Sequence, residues 1–235
     1  TDQNFLGPYE NVALWNFPNT TDNNIIDGGS TANVNAAKTI SVNGGVVTPT
    51  YVSGSGSATS AASTTGWNAG SGTKYWQIDF STVGYYSNIV SSAQRSSNTG
   101  PKDFKVEYKI GTGGTWADVP GAAITVGNNW TTGVMTNVSL PAACNNQPSV
   151  FLRWIMTSNN AVSGSLAAGG VSAIDNIVVA GSAPNFVPGY ENYEVSGGAT
   201  VSQVVYGIDI HELTQYYYRV RAKSTNSTSP YSNTI

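Results

Sequence analysis

The chain has 235 residues, 40% of them hydrophobic and only 10% charged, with a net charge of −3. An average soluble domain is about one quarter charged, so the polar surface here is built from Ser, Thr, Asn and Gly, which suits short strands joined by turns. The charge balance argues against a nucleic-acid groove or an anionic-membrane patch. The single cysteine, Cys144, excludes an internal disulfide framework. No run approaches the roughly 18 apolar residues of a membrane-spanning helix.

In chain order, an extended segment at 1–11 leads into a predicted strand at 12–17, and a second strand is predicted at 39–47. The stretch 53–72 is nearly all Ser, Gly, Ala and Thr around Trp67, and it reads as a surface loop or flexible tongue. Strict alternation follows at 75–80, with Trp76, Ile78 and Phe80 on one face and Tyr75, Gln77 and Asp79 on the other. A strand at 85–92 comes next. At 104–110, Phe104, Val106, Tyr108 and Ile110 face inward and Lys105, Glu107 and Lys109 outward. A strand at 134–140 precedes 150–156, which is apolar on both faces except at Arg153 and reads as a central strand. A strand at 173–179 ends at the joint Gly181-Ser182-Ala183-Pro184. Turn signals at Asp27-Gly28-Gly29, Asn43-Gly44-Gly45, 111–114 and Pro120-Gly121 separate these runs. The pattern predicts an all-β sandwich.

Catalytic chemistry finds little support. His211 is the only histidine, which excludes a multi-histidine zinc site; beside Glu212 and without a G-x-S-x-G run, it reads as a solvated loop residue. Cys144 reads as a small buried residue. Glu10, Asp79, Glu107 and Asp118 could supply a carboxylate pair, but none sits in a hydrolase motif, and Glu107, with lysine neighbours, reads as part of a surface ion pair. No catalytic residue, enzyme activity or cofactor is expected. Trp76 and Trp154 read as core. Trp67, Trp116 and Trp130 lie in or beside Gly-rich loops, where a flat ring either stacks on a sugar or anchors the loop to the core.

Three segments carry a family likeness: Trp15-Asn16-Phe17, the run from Gln94 through Pro101 into Phe104–Tyr108, and Ile174-Asp175-Asn176-Ile177-Val178-Val179. Together, over about 12–181, they resemble a jelly-roll-type domain of secreted Bacteroidetes proteins, often found beside nucleases, proteases or polysaccharide-active enzymes. The likeness implies a sandwich. Jelly-roll carbohydrate-binding modules often hold a structural calcium ion near their first and last strands, for which Asp175 with Asp22 or Asp27 could supply oxygens. Asp175-Asn176 reads equally as a solvent-facing polar pair, and no metal site is assigned.

The C-terminal residues 182–235 resemble part of a fibronectin type III module. Ile210 stands six residues before Tyr216, which would be the family's corner tyrosine. Tyr218, Val220 and Ala222 would alternate inward, Tyr231-Ser232-Asn233 would begin the last strand, and 186–192 matches the middle of bacterial versions. The segment with the family's core Trp is missing. The resemblance therefore implies a half-sandwich with an open apolar face. Asn4–Val12 echoes Asn185–Tyr193.

These readings lead to an expectation: a non-enzymatic extracellular structural or adhesive protein that self-associates into a filament or surface layer. Phe5, Leu6, Val12 and Leu14 would be donated as a strand to a neighbouring copy, with Val204, Tyr206, Ile208 and Tyr218 as acceptors. The start at Thr1, without a leader pattern, reads as a processed secreted chain. The alternative is a carbohydrate-binding accessory module of a secreted polysaccharide-active enzyme, contacting glycans through Trp67, Trp116 and Trp130. Partners are then other copies of the chain and surface glycans, with neither nucleic acid nor membrane insertion.

Overall fold

The computed structural model describes residues 6–19, 23–55 and 60–186, and in the C-terminal part only 190, 193–195, 204, 220–224 and 226–229. The chain divides into one unit of Tyr9–Ala183 and another of Thr1–Pro8 with Pro184–Ile235.

The strands are β1 (Leu6–Trp15), β2 (Gly28–Gly29), β3 (Ile40–Asn43), β4 (Thr50–Val52), β5 (Ala61–Thr64) and β6 (Tyr75–Phe80). They continue as β7 (Tyr86–Ser96), β8 (Asp103–Ile110), β9 (Ala117–Thr125), β10 (Gly133–Ser139), β11 (Val150–Met156) and β12 (Ser172–Pro184), with a short helix, α1 (Thr31–Val34), and a 3-10 turn at Ala142–Cys144. They form two sheets: a five-stranded one in the order β3-β6-β11-β8-β9, and a seven-stranded one in the order β10-β7-β12-β1-β2 with β5 against β12 and β4 against β5. The all-β sandwich expected from the alternation is what the chain forms.

The sheets meet through the apolar halves of the alternating runs. Trp76, Ile78 and Phe80 of β6, Phe104 and Val106 of β8, and Val150, Leu152, Trp154 and Met156 of β11 face Val12, Trp15, Val90, Ile174, Ile177 and Val179 of the other sheet in one core. Burying an indole leaves its N–H to be satisfied. Trp76 Nε1 donates to Ser172 Oγ at 3.2 Å, and Trp154 Nε1 donates to Ser92 Oγ at 3.1 Å. Serines on the inner face of the seven-stranded sheet thus pin the registration of one layer on the other. Cys144 is fully buried, as its sequence context suggested, and burial pushes its thiol up to about 12.

Two expectations about loops and turns need correction. Within the Ser/Gly/Ala/Thr-rich stretch, Ala61–Thr64 is no surface loop: it forms β5, buried along its length and pairing with β4 on one side and β12 on the other, while Ser53, Asn68, Ala69 and Gly72 are exposed. Small side chains fit there because every position of this strand is buried. Pro120-Gly121 is no chain reversal either; it lies within β9, where the register against β8 shifts between Lys105 and Glu107. β9 is an edge strand, the place where a sheet tolerates a proline and a bulge.

β1 is an internal strand of the seven-stranded sheet, between β12 and β2. Val12 is fully buried in the core and Leu14 is half-buried. Val12 and Leu14 of the expected donor segment are therefore part of their own domain's sheet, and donating Val12 to another copy would unmake the core; Leu6, also in β1, falls in the other unit. Phe5 lies outside the described residues, and so do the acceptor positions Tyr206, Ile208 and Tyr218. Val204 is exposed, and Val220, expected to point inward, is 71% exposed.

Candidate functional site

The outward half of the five-stranded sheet is where the charged residues gather. Because alternate side chains of a strand share a face, register decides which outward residues become neighbours. Ser41 of β3 stands opposite Gln77 of β6, and Gln77 opposite Arg153 of β11. Arg153 stands opposite Glu107 of β8, and Glu107 opposite Asp118 of β9. One row, Ser41–Gln77–Arg153–Glu107–Asp118, therefore crosses all five strands. At about 4.8 Å per strand, that row is about 19 Å long, the span of a short oligosaccharide. A parallel row carries Asn43, Tyr75, Ile155 and Lys105.

The row is electrostatically tied together. Glu107 Oε2 accepts from Arg153 Nε at 2.6 Å and lies 2.5 Å from Arg153 Nη2, while Lys105 Nζ is 2.8 Å from Glu107 Oε1. Lys105 also reaches Asp118 at 2.6 Å. Its hydrogen bond holds the Asp118 carboxyl below its usual range, and the two carboxylates, Asp118 first, hold the Lys105 ammonium above its own. A general acid needs the opposite displacement. Asp118 is thus a counter-charge to Lys105, the lysine that also pairs with Glu107.

Two aromatic rings stand at this row. Trp116 follows the tight turn after β8, where Gly111, at φ 66°, takes up a left-handed conformation and Gly114 N–H bonds back to its carbonyl. The reversal brings Trp116 over the face, 6.3 Å from Tyr75 in an edge-on arrangement. The Arg153 guanidinium lies 4.2 Å from the Trp116 ring centre and 4.8 Å from that of Tyr75. Lys109 Nζ lies 5.1 Å from the Trp116 ring and 4.6 Å from that of Phe151. The indole is thus held by cations rather than by core packing, and it remains half-exposed.

The structure separates the three tryptophans expected at a glycan site. Trp67 is fully buried, 5.6 Å from Trp76 and 5.9 Å from Phe104, with its N–H bonded to Thr64 O at 3.0 Å. It presents no face to a ligand, so its expected sugar contact is corrected to core packing: its neighbouring glycines let the chain turn a large ring inward. Trp116 lies over the five-stranded sheet. Trp130 sits in the loop between β9 and β10, against the seven-stranded sheet with Arg95 and Ala173. Sequence reasoning placed Tyr75, Gln77, Lys105, Glu107 and Lys109 on outward faces and singled out Arg153, but did not join them. The missing signal is cross-strand register, which a single strand does not encode.

The carboxylates considered for calcium behave differently from the expectation of a solvent-facing pair. Asp175 is fully buried at a bulge of β12, and it accepts N–H bonds from Ser55 at 2.7 Å and Asn176 at 2.6 Å. Asp27 accepts from Asn16 and Phe17 N–H at 2.8 and 2.9 Å. Burial, with the Asp27 charge adding, pushes Asp175 up to about 6. Calcium takes six to eight oxygens. Among the described residues no group of three or more metal-ligating side chains gathers here, and Asp22 lies outside them. What the described residues form is a polar clasp between loops and the last strand. His211 also lies outside the described residues.

No family model matches the chain, and no curated protein matches it. Among solved structures, the CBM22-1 xylan-binding domain of Paenibacillus barcinonensis Xyn10C is 13% identical, with a TM-score of 0.43, over 77% of this chain and all (100%) of that domain. A CBM4 carbohydrate-binding module is 12% identical, with a TM-score of 0.44, over 71% of this chain and 97% of that one. The enzymatically active domain of the bacteriophage CBA120 tailspike protein 4 is 16% identical, with a TM-score of 0.38, and the match covers 62% of this chain but 19% of the tailspike chain. Its structural neighbours thus include jelly-roll β-sandwich carbohydrate-binding modules, at similarities that carry no argument about a ligand.

Proposed function

We propose that the Tyr9–Ala183 unit is a non-catalytic carbohydrate-binding module of an extracellular protein, and that the outer face of its five-stranded sheet is the ligand platform. The observation that carries this reading is the polar row Ser41–Gln77–Arg153–Glu107–Asp118 with Trp116 and Tyr75 standing at it. A pyranose has a C–H face that stacks on a flat ring and an equatorial rim of hydroxyls. Planar amide, guanidinium and carboxylate groups meet such hydroxyls pairwise. Because Arg153 and Glu107 are already locked to each other, binding orders few side chains, and the entropic cost is small. The Ser/Thr/Asn-rich, charge-poor surface fits an extracellular setting. Strand exchange between copies has no observation in its favour, and the donor residue Val12 belongs to the core.

The test is affinity electrophoresis and pull-down on a panel of neutral polysaccharides that includes xylan and cellulose. We expect retention by at least one glycan and a loss of about tenfold in affinity for Trp116→Ala. Absence of retention across the whole panel would defeat the proposal, as would retention that Trp116→Ala leaves intact.

A further inference from the structure

The outer face of the seven-stranded sheet carries a second recess, built differently. Ala173 of β12 stands opposite both Arg95 of β7 and Ser63 of β5. Its neighbours Ser172 and Ile174 point into the sandwich, the first bonded to Trp76 and the second in the core, so Arg95, Ala173 and Ser63 form an outward row. The small side chain of Ala173 leaves a floor between them. Val52, Val171 and the half-buried Trp130 wall a groove of about 340 Å³ there, with Ser53 and Ser97 at its rim.

Trp130 is held on a braced loop. Asn129 Oδ1 accepts from both the N–H and the hydroxyl of Thr131, each at 2.9 Å, and from those of Thr132 at 2.8 and 2.9 Å. Asn128 donates to Asn98 at 3.2 Å and accepts from Arg95 Nε at 3.3 Å. That second bond is to a neutral amide. Among the described residues the ion pairs engage Lys38, Lys105, Arg153 and Lys223, and none engages Arg95. The exposed Arg95 guanidinium is oriented by Asn128 and still able to take a carboxylate.

We propose that this groove is a second carbohydrate subsite, on the sheet opposite Trp116, specific for an acidic sugar residue of an anionic polysaccharide. The C–H face of a uronate lies on Trp130, its carboxylate pairs with Arg95, and Ser53, Ser63 and Ser97 meet its hydroxyls. The inference stands apart from the neutral-glycan platform, because no residue is shared between the two faces.

The experiment is calorimetric titration of the whole chain with a short oligogalacturonate and with the same oligomer methyl-esterified. The acid should bind about tenfold more tightly than the ester, the worth of a charge-assisted bond. Arg95→Gln should abolish that preference and Arg95→Lys should keep part of it. Trp130→Ala should weaken both oligomers, and Trp116→Ala should leave the preference unchanged. Equal binding of acid and ester by the unaltered protein would overturn the subsite, as would a preference that survives Arg95→Gln. A preference lost with Trp116 and kept without Arg95 would also overturn it, by moving the acidic contact to the other sheet.

Discussion

The two outer faces of the sandwich show opposite uses of a small charge complement. On the five-stranded sheet, Lys105, Glu107, Arg153 and Asp118 neutralise one another in a continuous chain, and a tryptophan is laid on top of them. On the seven-stranded sheet the corresponding positions hold Ala61, Ser63, Ala93 and Ala173, all buried, beside the exposed Arg95. One face is a rigid polar plane, while the other is a recess made by small side chains with a single cation at its edge. A charge-poor chain can thus present two chemically distinct surfaces without altering its core, because period-two alternation uncouples what a strand buries from what it shows.

The sharpest contrast to test is between the buried and the displayed tryptophans. Trp67→Ala should cost about 3–5 kcal/mol in denaturant unfolding, whereas Trp116→Ala and Trp130→Ala should stay within about 1 kcal/mol of the parent. Comparable losses at all three would erase the division between core and display. Next in size, Arg153→Ala leaves Glu107, 8% exposed, with Lys105 as its remaining cation and removes the group between the two rings. We expect a stability loss of about 1–3 kcal/mol, between the values for exposed and buried pairs, together with weaker glycan retention. Unchanged retention would show that the plane is structural only.

On the inner side, Gln94 is fully buried, and neither amide atom has a partner among the described residues. Gln94→Met should therefore raise stability by about 1 kcal/mol, since an unpaired buried amide costs free energy that a thioether does not; a lower melting point would instead reveal a trapped water bridging the amide. The remaining test is one of pH dependence and concerns Asp175. Its folded-state pKa of about 6 exceeds its ordinary 3.8, so the folded state holds that proton more tightly. The contribution of this group to stability is full below about pH 4 and lost as pH rises to about 6. Asp175→Asn should flatten that part of the melting-temperature profile, and parallel profiles for variant and parent would exclude the buried carboxyl as its source.

Much of the fold was legible because hydrophobic alternation is local. Strands β6 and β11 coincide with the runs read at 75–80 and 150–156, and the inward Trp76 and Trp154 follow from period alone. β5 was missed because Ala61–Thr64 has the composition of a loop, and its strand state comes from pairing with β12 and β4. Trp67 was left between two roles for a related reason: flanking glycines are the same whether a ring turns outward to solvent or inward to Trp76 and Phe104.

What the sequence determined by itself is therefore the class of fold and the inward and outward faces of the runs at 75–80 and 104–110. What only the tertiary structure decided is register: which of Gln77, Arg153, Glu107 and Asp118 stand side by side, and on which sheet Trp116 and Trp130 finish. Alternation is a property of one strand's own backbone, set by its pleat. Neighbourhood across strands depends on how separate segments slide past one another, and that is fixed here by distant contacts such as Trp76 with Ser172 and Trp154 with Ser92.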